Sequence, residues 1–212
     1  FTKKSSLHPI HASIAQWLPE SKSTLNVLEL GCGPGKYVAM LSTLGFKVTG
    51  VDPLSFPTWD ILRQQPHVKL MDEVFSENLP FADNEFDHAV CLGALLYFQE
   101  PEKALLEIKR VVKPGGKVIL RTVNANNMYS LFTGKRLDPA SRQLYTMDEL
   151  VNLMKNAGFE INKQFSFGFW PPLFTDFWWY LQCVWLPLWL QELLSNVIPA
   201  KNRVNNIVFA TA

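Results

Sequence analysis

The stretch Val27-Leu28-Glu29-Leu30-Gly31-Cys32-Gly33-Pro34-Gly35 decides the fold of this chain. Its first half is apolar and predicts a buried strand, and its second half predicts a loop with glycine at every second position. Glycine has no Cβ atom, so a ligand can lie against the backbone and positive φ angles are available without strain. A strand, such a loop and a following helix form the site for nucleotide-like cofactors at the carboxyl end of an α/β sheet.

Two classes of cofactor use a glycine loop in this position. The dinucleotide fingerprint is GxGxxG, whereas the pattern from Gly31 is GxGxG and Lys36 stands where the third glycine would be. Asp52, at the end of the second predicted strand, can accept hydrogen bonds from both hydroxyls of a ribose. NAD-binding proteins have a carboxylate at a similar spacing. Asp52 therefore predicts a ribose without choosing the cofactor.

Strand-like and helix-like patterns alternate along the chain. This alternation predicts a mostly parallel sheet with right-handed crossovers in a single domain. A turn is predicted at Pro114-Gly115-Gly116. The predicted strands are 25–30, 46–51, 68–71, 86–92, 117–123, 159–167 and 204–210, and the predicted helices are 36–44, 102–112 and 148–158.

Composition excludes several classes of protein. The 212 residues are 48% hydrophobic, which is typical of a globular domain with a full core. The formal net charge is +1 and no long basic run occurs, so no nucleic-acid partner is indicated. Cys32, Cys91 and Cys183 lack CxxC spacing. This pattern argues against a disulfide framework and a metal site, and favours a reducing, cytoplasmic compartment.

Four motifs in this order discriminate between the cofactors. With them the sequence resembles the class I S-adenosylmethionine-dependent methyltransferases, particularly the type 11 group. The resemblance implies an α/β, Rossmann-like, seven-stranded sheet with the last strand antiparallel and helices on both faces. S-adenosylmethionine would lie across the carboxyl ends of the first strands. The motifs are the glycine loop with its strand, Val48-Thr49-Gly50-Val51-Asp52, Leu79-Pro80-Phe81 followed by Phe86-Asp87, and Arg110-Val111-Val112-Lys113-Pro114-Gly115-Gly116.

The resemblance also implies roles for individual residues in binding the donor. The loop would line the methionine part through its backbone, Glu29 would orient the amino group and Asp52 would hold the ribose. The adenine contact is assigned to Glu77-Asn78-Leu79, although Asp72, seven positions before Leu79, is an alternative. The remaining donor-binding positions are Gly31, Cys32, Gly33 and Gly35 in the loop, Pro53 and Leu54 beside the adenine, and Leu92 and Gly93 at the floor.

No strong catalytic signature occurs in the sequence. The sulfonium donor is already activated, so methyl transfer mainly requires an aligned acceptor, and a base only if the acceptor must lose a proton. The candidates for contact with the acceptor or donor are Tyr97, Tyr145 and His11. His88 begins the fourth strand, about 13 Å from the cofactor end at roughly 3.3 Å per residue, and is predicted to be structural.

An aromatic insertion, residues 168–203 between the last two predicted strands, holds five of the seven tryptophans. Because it should lie on the cofactor face, it predicts a cover for an apolar or amphipathic acceptor. A structural core, a homodimer interface and a membrane-surface helix are alternatives. The last is not favoured, because no Lys or Arg occurs between Lys163 and Lys201. Lys135, Arg136 and Arg142 on the same face suggest an acidic group on the acceptor.

The sequence therefore predicts methyl transfer from S-adenosylmethionine to a small, hydrophobic or amphipathic acceptor. One alternative is a methyltransferase fold that has lost catalysis and serves as an interaction module. A second alternative, an NAD-dependent oxidoreductase, is disfavoured by Lys36 and the later motifs.

Overall fold

A seven-stranded sheet forms the centre of the molecule. The computed structural model describes residues 14, 16–18, 25–168, 193 and 196–212. The strands are β1 (Asn26–Leu30), β2 (Lys47–Val51), β3 (Val68–Met71), β4 (Phe86–Leu92), β5 (Val112–Val123), β6 (Glu160–Phe167) and β7 (Asn205–Thr211). The helices are α1 (Lys36–Thr43), α2 (Trp59–Leu62), α3 (Pro101–Val111), α4 (Met128–Thr133) and α5 (Met147–Asn156).

The strand order is β3-β2-β1-β4-β5-β7-β6. Strands β1 to β5 run parallel to one another, whereas β7 is antiparallel to both β5 and β6. Strand β6 therefore runs in the same direction as the first five. The predicted seven-stranded sheet with an antiparallel last strand is confirmed.

Helices cover both faces of the sheet, because each face carries an apolar layer that must be removed from water. On one face, α1 and α2 contribute Val38 and Trp59 to a buried cluster. On the other face, α3 and α5 contribute Leu105 and Leu150 to a second cluster. Since residues alternate between faces along a strand, Glu29 projects to the side of α1, between the apolar Leu28 and Leu30.

The predicted turn at Pro114-Gly115-Gly116 lies inside β5 rather than before it. Strand β5 begins at Val112, which pairs with Phe86, and Lys117 pairs with His88. The intervening residues of β5 form a bulge, which accounts for the turn-like sequence inside a strand. The short helices α2 and α4 were not predicted, because four and six residues are too few for a clear helical period.

The aromatic insertion joins the end of β6 to the start of β7. Most of its residues, including all five of its tryptophans, lie outside the described residues. Its ends meet, since the N–H of Val204 donates to the carbonyl of Gly168 over 3.1 Å. Within the described part of the chain, none of the helices combines the length and the apolar character that crossing a membrane requires.

Candidate donor and acceptor site

The glycine loop has the left-handed backbone that its sequence predicts. The φ angles are 63° at Gly31, 51° at Gly33 and 86° at Gly35. A Cβ atom added at Gly31 would lie 2.2 Å from the Cβ atom of Ala94, and one added at Gly35 would lie 2.3 Å from Cδ1 of Leu62. At Gly33 an added Cβ would meet no described atom within 4 Å. Gly31 and Gly35 thus allow close packing of protein, and Gly33 adjoins open space.

Side chains form hydrogen bonds with both the backbone N–H and the backbone carbonyl of Gly33. The N–H of Gly33 donates to Oδ2 of Asp52 over 2.8 Å, and its carbonyl accepts from Nε1 of Trp59 over 2.8 Å. The hydroxyl of Thr58 donates to the next carbonyl, that of Pro34, over 2.7 Å. The loop is therefore held from the side of β2 and α2 before any ligand binds.

Asp52 also anchors the loop that follows β2. Its second oxygen, Oδ1, accepts from the N–H of Leu54 over 3.0 Å. A carboxylate has about four acceptor positions, so each oxygen of Asp52 keeps one for a ribose hydroxyl. Leu54 is 65% exposed and Pro53 is exposed beside it. These two side chains offer an apolar surface where the resemblance places the adenine.

Glu29 carries a carboxylate that is buried beneath the glycine loop. The residue is 1% exposed, and its Oε2 has no hydrogen-bond partner among the described residues. Burial raises the pKa of Glu29 well above its usual range; the N–H of Val38 lowers it, and the negative charge of Asp52 raises it further. A buried acceptor without a partner costs free energy, so this oxygen suits a ligand that brings a hydrogen-bond donor.

Two cysteine thiols lie in the same part of the core. Burial and the charges of Glu29 and Asp52 raise the pKa of the Cys32 thiol, and burial raises the pKa of Cys91 to about 12. Both cysteines are free and buried. A thiol that resists ionisation is a poor nucleophile, so neither residue is suited to covalent catalysis.

The segment assigned to the adenine contact faces helix α3. Oε1 of Glu77 accepts from the N–H groups of Gln99 and Glu100, over 2.9 and 3.2 Å. Leu79 is buried, and its N–H donates to Glu107 over 2.8 Å. Asn78 is exposed. The structure thus gives Glu77 a role in holding the start of α3, and the adenine contact of this segment stays a prediction.

The floor of the predicted donor site is the end of β4. Leu92 is buried, and Gly93 has a φ of 100°. The N–H of Gly93 donates to the carbonyl of Arg121 on β5 over 2.9 Å. An added Cβ at Gly93 would lie 3.3 Å from Nη1 of Arg121. The arginine side chain therefore lies directly beside this floor.

The catalytic candidates lie in different surroundings. Tyr97 follows β4, is 43% exposed and donates its hydroxyl to Asp138. Partial burial and the negative charge of Asp138 raise the pKa of Tyr97 to about 12, so it is unsuited to act as a base near neutral pH. Tyr145 is 3% exposed and packs in the core near Leu150. His11 lies outside the described residues.

His88 is structural in its surroundings. Its Nδ1 accepts from the N–H of Lys117 over 3.0 Å within the sheet, and the side chain is buried. Burial lowers its pKa, with the positive charges of Lys117 and Lys113 acting in the same direction and Asp87 opposing them. A neutral histidine that pairs two strands agrees with the prediction from its position.

Several residues that shape the site were not singled out in the sequence. Trp59 holds the glycine loop, and Arg121 lies beside the floor of the predicted donor site at the end of β4. Asn124 follows β5 and donates to the carbonyls of Lys201 and Arg203 over 2.9 and 2.8 Å, which ties the end of the aromatic insertion to the sheet. The asparagines at 124, 126 and 127 are the one local signal that could have indicated this role, because asparagine side chains readily bond to nearby backbone.

Comparison with known proteins gives the family. A model of the methyltransferase domain matches residues 6–164 of the 212. A ubiquinone biosynthesis O-methyltransferase of Dechloromonas aromatica is 33% identical over 135 residues, which cover 59% of this chain and 57% of that protein. The corresponding protein of Pseudomonas putida is 31% identical over 129 residues, which cover 57% of this chain and 54% of that protein. The chain thus spans little more than half the length of these curated relatives.

Solved structures agree on the fold. An S-adenosylmethionine-dependent methyltransferase from Thermotoga maritima is 25% identical, with a TM-score of 0.66 over 95% of this chain and 86% of that one. A [4+2]-cyclase is 22% identical, with a TM-score of 0.70 over 95% of this chain and 79% of that one. The type 11 assignment within the class stays a prediction. The family match extends over most of the sequence, and the chain belongs to the class I S-adenosylmethionine-dependent methyltransferase domains.

Proposed function

We propose that this chain transfers a methyl group from S-adenosylmethionine to a small hydrophobic or amphipathic acceptor. The observation that carries the proposal is the pair of carboxylates of Glu29 and Asp52 at the glycine loop. Glu29 is buried with a raised pKa and an oxygen that lacks a partner among the described residues. A buried carboxyl group with a free oxygen suits a ligand that brings an amino group, which the methionine part of this donor has and a pyrophosphate lacks.

The residues at the loop fit this donor. Glu29 would accept from the amino group of its methionine part, Asp52 would hold the ribose, and Leu54 would contact the adenine. When bound, the donor supplies an electrophilic methyl group on a sulfonium. Asp72 directly follows β3 and is exposed, so it competes with Glu77 as the partner of the adenine amino group.

The acceptor would lie above the ends of β4 and β5. Tyr97 follows β4 there, and the aromatic insertion leaves β6 at Gly168 and returns at β7 on the same side of the sheet. The relatives named ubiquinone biosynthesis O-methyltransferases favour an oxygen atom as the methyl acceptor. The chain would act mainly by aligning acceptor and donor and by excluding water, because an activated donor needs no nucleophilic residue.

Two alternative functions, an NAD-dependent oxidoreductase and an interaction module without catalysis, can be distinguished by which cofactor the chain binds. An NAD-dependent oxidoreductase is disfavoured because a pyrophosphate has no hydrogen-bond donor for the unpartnered oxygen of Glu29 beneath the loop. An interaction module without catalysis is compatible with the fold, since a [4+2]-cyclase also shares it and the fold alone does not fix an activity. A cytoplasmic location and a homodimer through the aromatic insertion stay predictions.

The first prediction concerns the choice of cofactor. Isothermal titration is expected to show binding of S-adenosylmethionine and S-adenosylhomocysteine and none of NAD.

Asp52→Asn places a side-chain amide where the N–H groups of Gly33 and Leu54 need acceptors. Loss of charge-assisted hydrogen bonds of about 1.5–3 kcal/mol would weaken donor binding by about 10- to 100-fold. The exposed Asp60→Asn is the matched control and should bind like the wild type. Binding of NAD alone, or of none of the three, would contradict the proposal.

The second prediction concerns the pH dependence of stability. Because the folded state raises the pKa of Glu29, the folded protein holds its proton more tightly than the unfolded chain does. Stability is then fully present below the usual glutamate pKa and falls as the pH rises towards the folded value. As the pH rises above the usual glutamate pKa, Glu29→Gln should gain thermal stability relative to the ligand-free wild type.

Scanning calorimetry of both proteins at increasing pH measures the difference in melting temperature. The exposed Glu160→Gln serves as the control and should show no such trend. A difference between Glu29→Gln and the wild type that does not change with pH would rule out a buried, protonated Glu29.

The third prediction concerns the aromatic insertion. Because Val204 bonds to Gly168, a short glycine-serine linker can replace residues 169–195 without separating β6 from β7. We expect this variant to bind S-adenosylhomocysteine like the wild type and to lose binding of a hydrophobic acceptor probe such as 4-octylphenol. Unchanged probe binding would show that the insertion does not cover the acceptor.

A further inference from the structure

Arg121 is a cation that lies beside the floor of the predicted donor site. It lies near the carboxyl end of β5 and pairs with Leu92 of β4. Its Nη1 lies 3.3 Å from the position that a Cβ atom would occupy at Gly93. The side chain is half-buried, so its charge is partly shielded from water. The cations that the sequence suggested for an acidic group are different ones, Lys135, Arg136 and Arg142.

The guanidinium is held in place while one of its nitrogens stays available. Nε and Nη2 donate to Oδ1 of Asn205 over 3.2 and 2.9 Å. Within the described ranges, Nη1 donates no hydrogen bond, and the ion pairs there use Lys103, Arg110 and Lys113 as their cations. An arginine fixed by a neutral amide keeps its full charge for an incoming anion.

The cations named from the sequence have different surroundings. Nη1 of Arg136 donates to the carbonyls of Ser141 and Arg142, which closes its own loop. Lys135 and Arg142 are exposed, so solvent screens their charges. Arg121 therefore offers the stronger interaction with an anionic oxygen at the end of the sheet.

The location of Arg121 favours the acceptor over the donor. The predicted donor contacts lie on β1, on β2 and at the end of β4, whereas Arg121 projects from β5, on the far side of β4. Its anchor Asn205 adjoins the start of the aromatic insertion, since a Cβ atom added at Gly168 would lie 3.1 Å from Nδ2 of Asn205. A guanidinium thus stands next to the point where an aromatic-rich segment leaves the sheet.

On the basis of the function proposed above, we propose that Arg121 binds an anionic oxygen of the acceptor, a carboxylate or an acidic phenol carried on an apolar body. Asn205 is its positioning residue, because it fixes the fork of the guanidinium through two hydrogen bonds. The acidic oxygen would bind at Nη1 beside Gly93, and the apolar body would extend past Gly168 at the end of β6. Charged hydrogen bonds of this kind change binding by about 10- to 100-fold.

Binding of two matched probes tests this assignment in the full chain saturated with S-adenosylhomocysteine. The probes are 4-octylbenzoate and 4-octylbenzyl alcohol, which differ in charge and share the apolar body. The wild type should bind the benzoate at least about tenfold more tightly than the alcohol. Arg121→Gln should bring the ratio of the two affinities near one, and Arg121→Lys should keep part of the preference because it keeps the charge. The exposed Lys155→Gln is the control and should keep the whole preference.

A second variant guards against a folding defect in Arg121→Gln. Asn205→Asp leaves the arginine in place and pairs its charge, so it should also reduce the preference for the benzoate. The assignment is overturned if the wild type has no preference, if it does not bind the benzoate, or if the preference survives in Arg121→Gln.

Titration of each variant with S-adenosylhomocysteine separates the two possible sources of the anion. Unchanged affinity in Arg121→Gln is expected for an acceptor contact. A loss as large as that of the benzoate would assign Arg121 to the carboxylate of the donor and overturn the acceptor assignment. Failure of the wild type to bind S-adenosylhomocysteine would overturn the proposed function itself, so the two failures are distinguishable.

Discussion

The hydrogen bond from the N–H of Gly33 to the carboxylate of Asp52 is the contact on which the candidate site depends. It joins the loop after β1 to the end of β2, and the second oxygen of Asp52 fixes the next loop at Leu54. Trp59 completes the arrangement by donating to the carbonyl of Gly33. A loop held on both sides needs little reordering when a ligand binds, which leaves more of the binding energy as affinity.

The buried carboxyl group of Glu29 beside Asp52 is an arrangement that selection for stability alone would not favour. Glu29 is buried next to the charge of Asp52, and burial of a carboxyl group without a full set of partners is unfavourable in the free protein. Functional sites commonly keep such locally unfavourable groups, because the ligand supplies what is missing. Here the amino group of S-adenosylmethionine would supply the hydrogen-bond partner that Glu29 lacks. A pyrophosphate would offer Glu29 no hydrogen-bond donor, so the site disfavours the dinucleotide that the glycine pattern alone did not exclude.

The features that the sequence predicted depend on neighbours along the chain. The left-handed glycines and the end of β2 at Asp52 follow from patterns within a few residues, and the mostly parallel sheet follows from the alternation of strands with helices. The residues that were missed depend on contacts between distant parts of the chain. Trp59 bonds to Gly33, 26 residues away, and Arg121 bonds to Asn205, 84 residues away. Neither pairing leaves a periodic signal in one sequence.

Tyr145 was named from the sequence, but its surroundings were not predicted. Its position before α5 suggested a contact with the acceptor, which stays a prediction; the structure adds that the residue is 3% exposed and belongs to the core cluster that includes residues of α3 and α5. Position along the chain placed it near the correct edge of the sheet, but the direction of a side chain is set by packing. The adenine contact of Glu77 also stays a prediction, and the structure adds that its carboxylate holds the start of α3.

The central claim is that the pocket formed by Glu29, Gly33 and Asp52 binds the methyl donor. A crystal structure of the full chain with S-adenosylhomocysteine tests it most directly. We expect the amino group of the ligand at Oε2 of Glu29, the ribose hydroxyls at Asp52 and the sulfur towards Gly93. A ligand bound elsewhere, or bound here with Glu29 still lacking a partner, would contradict it.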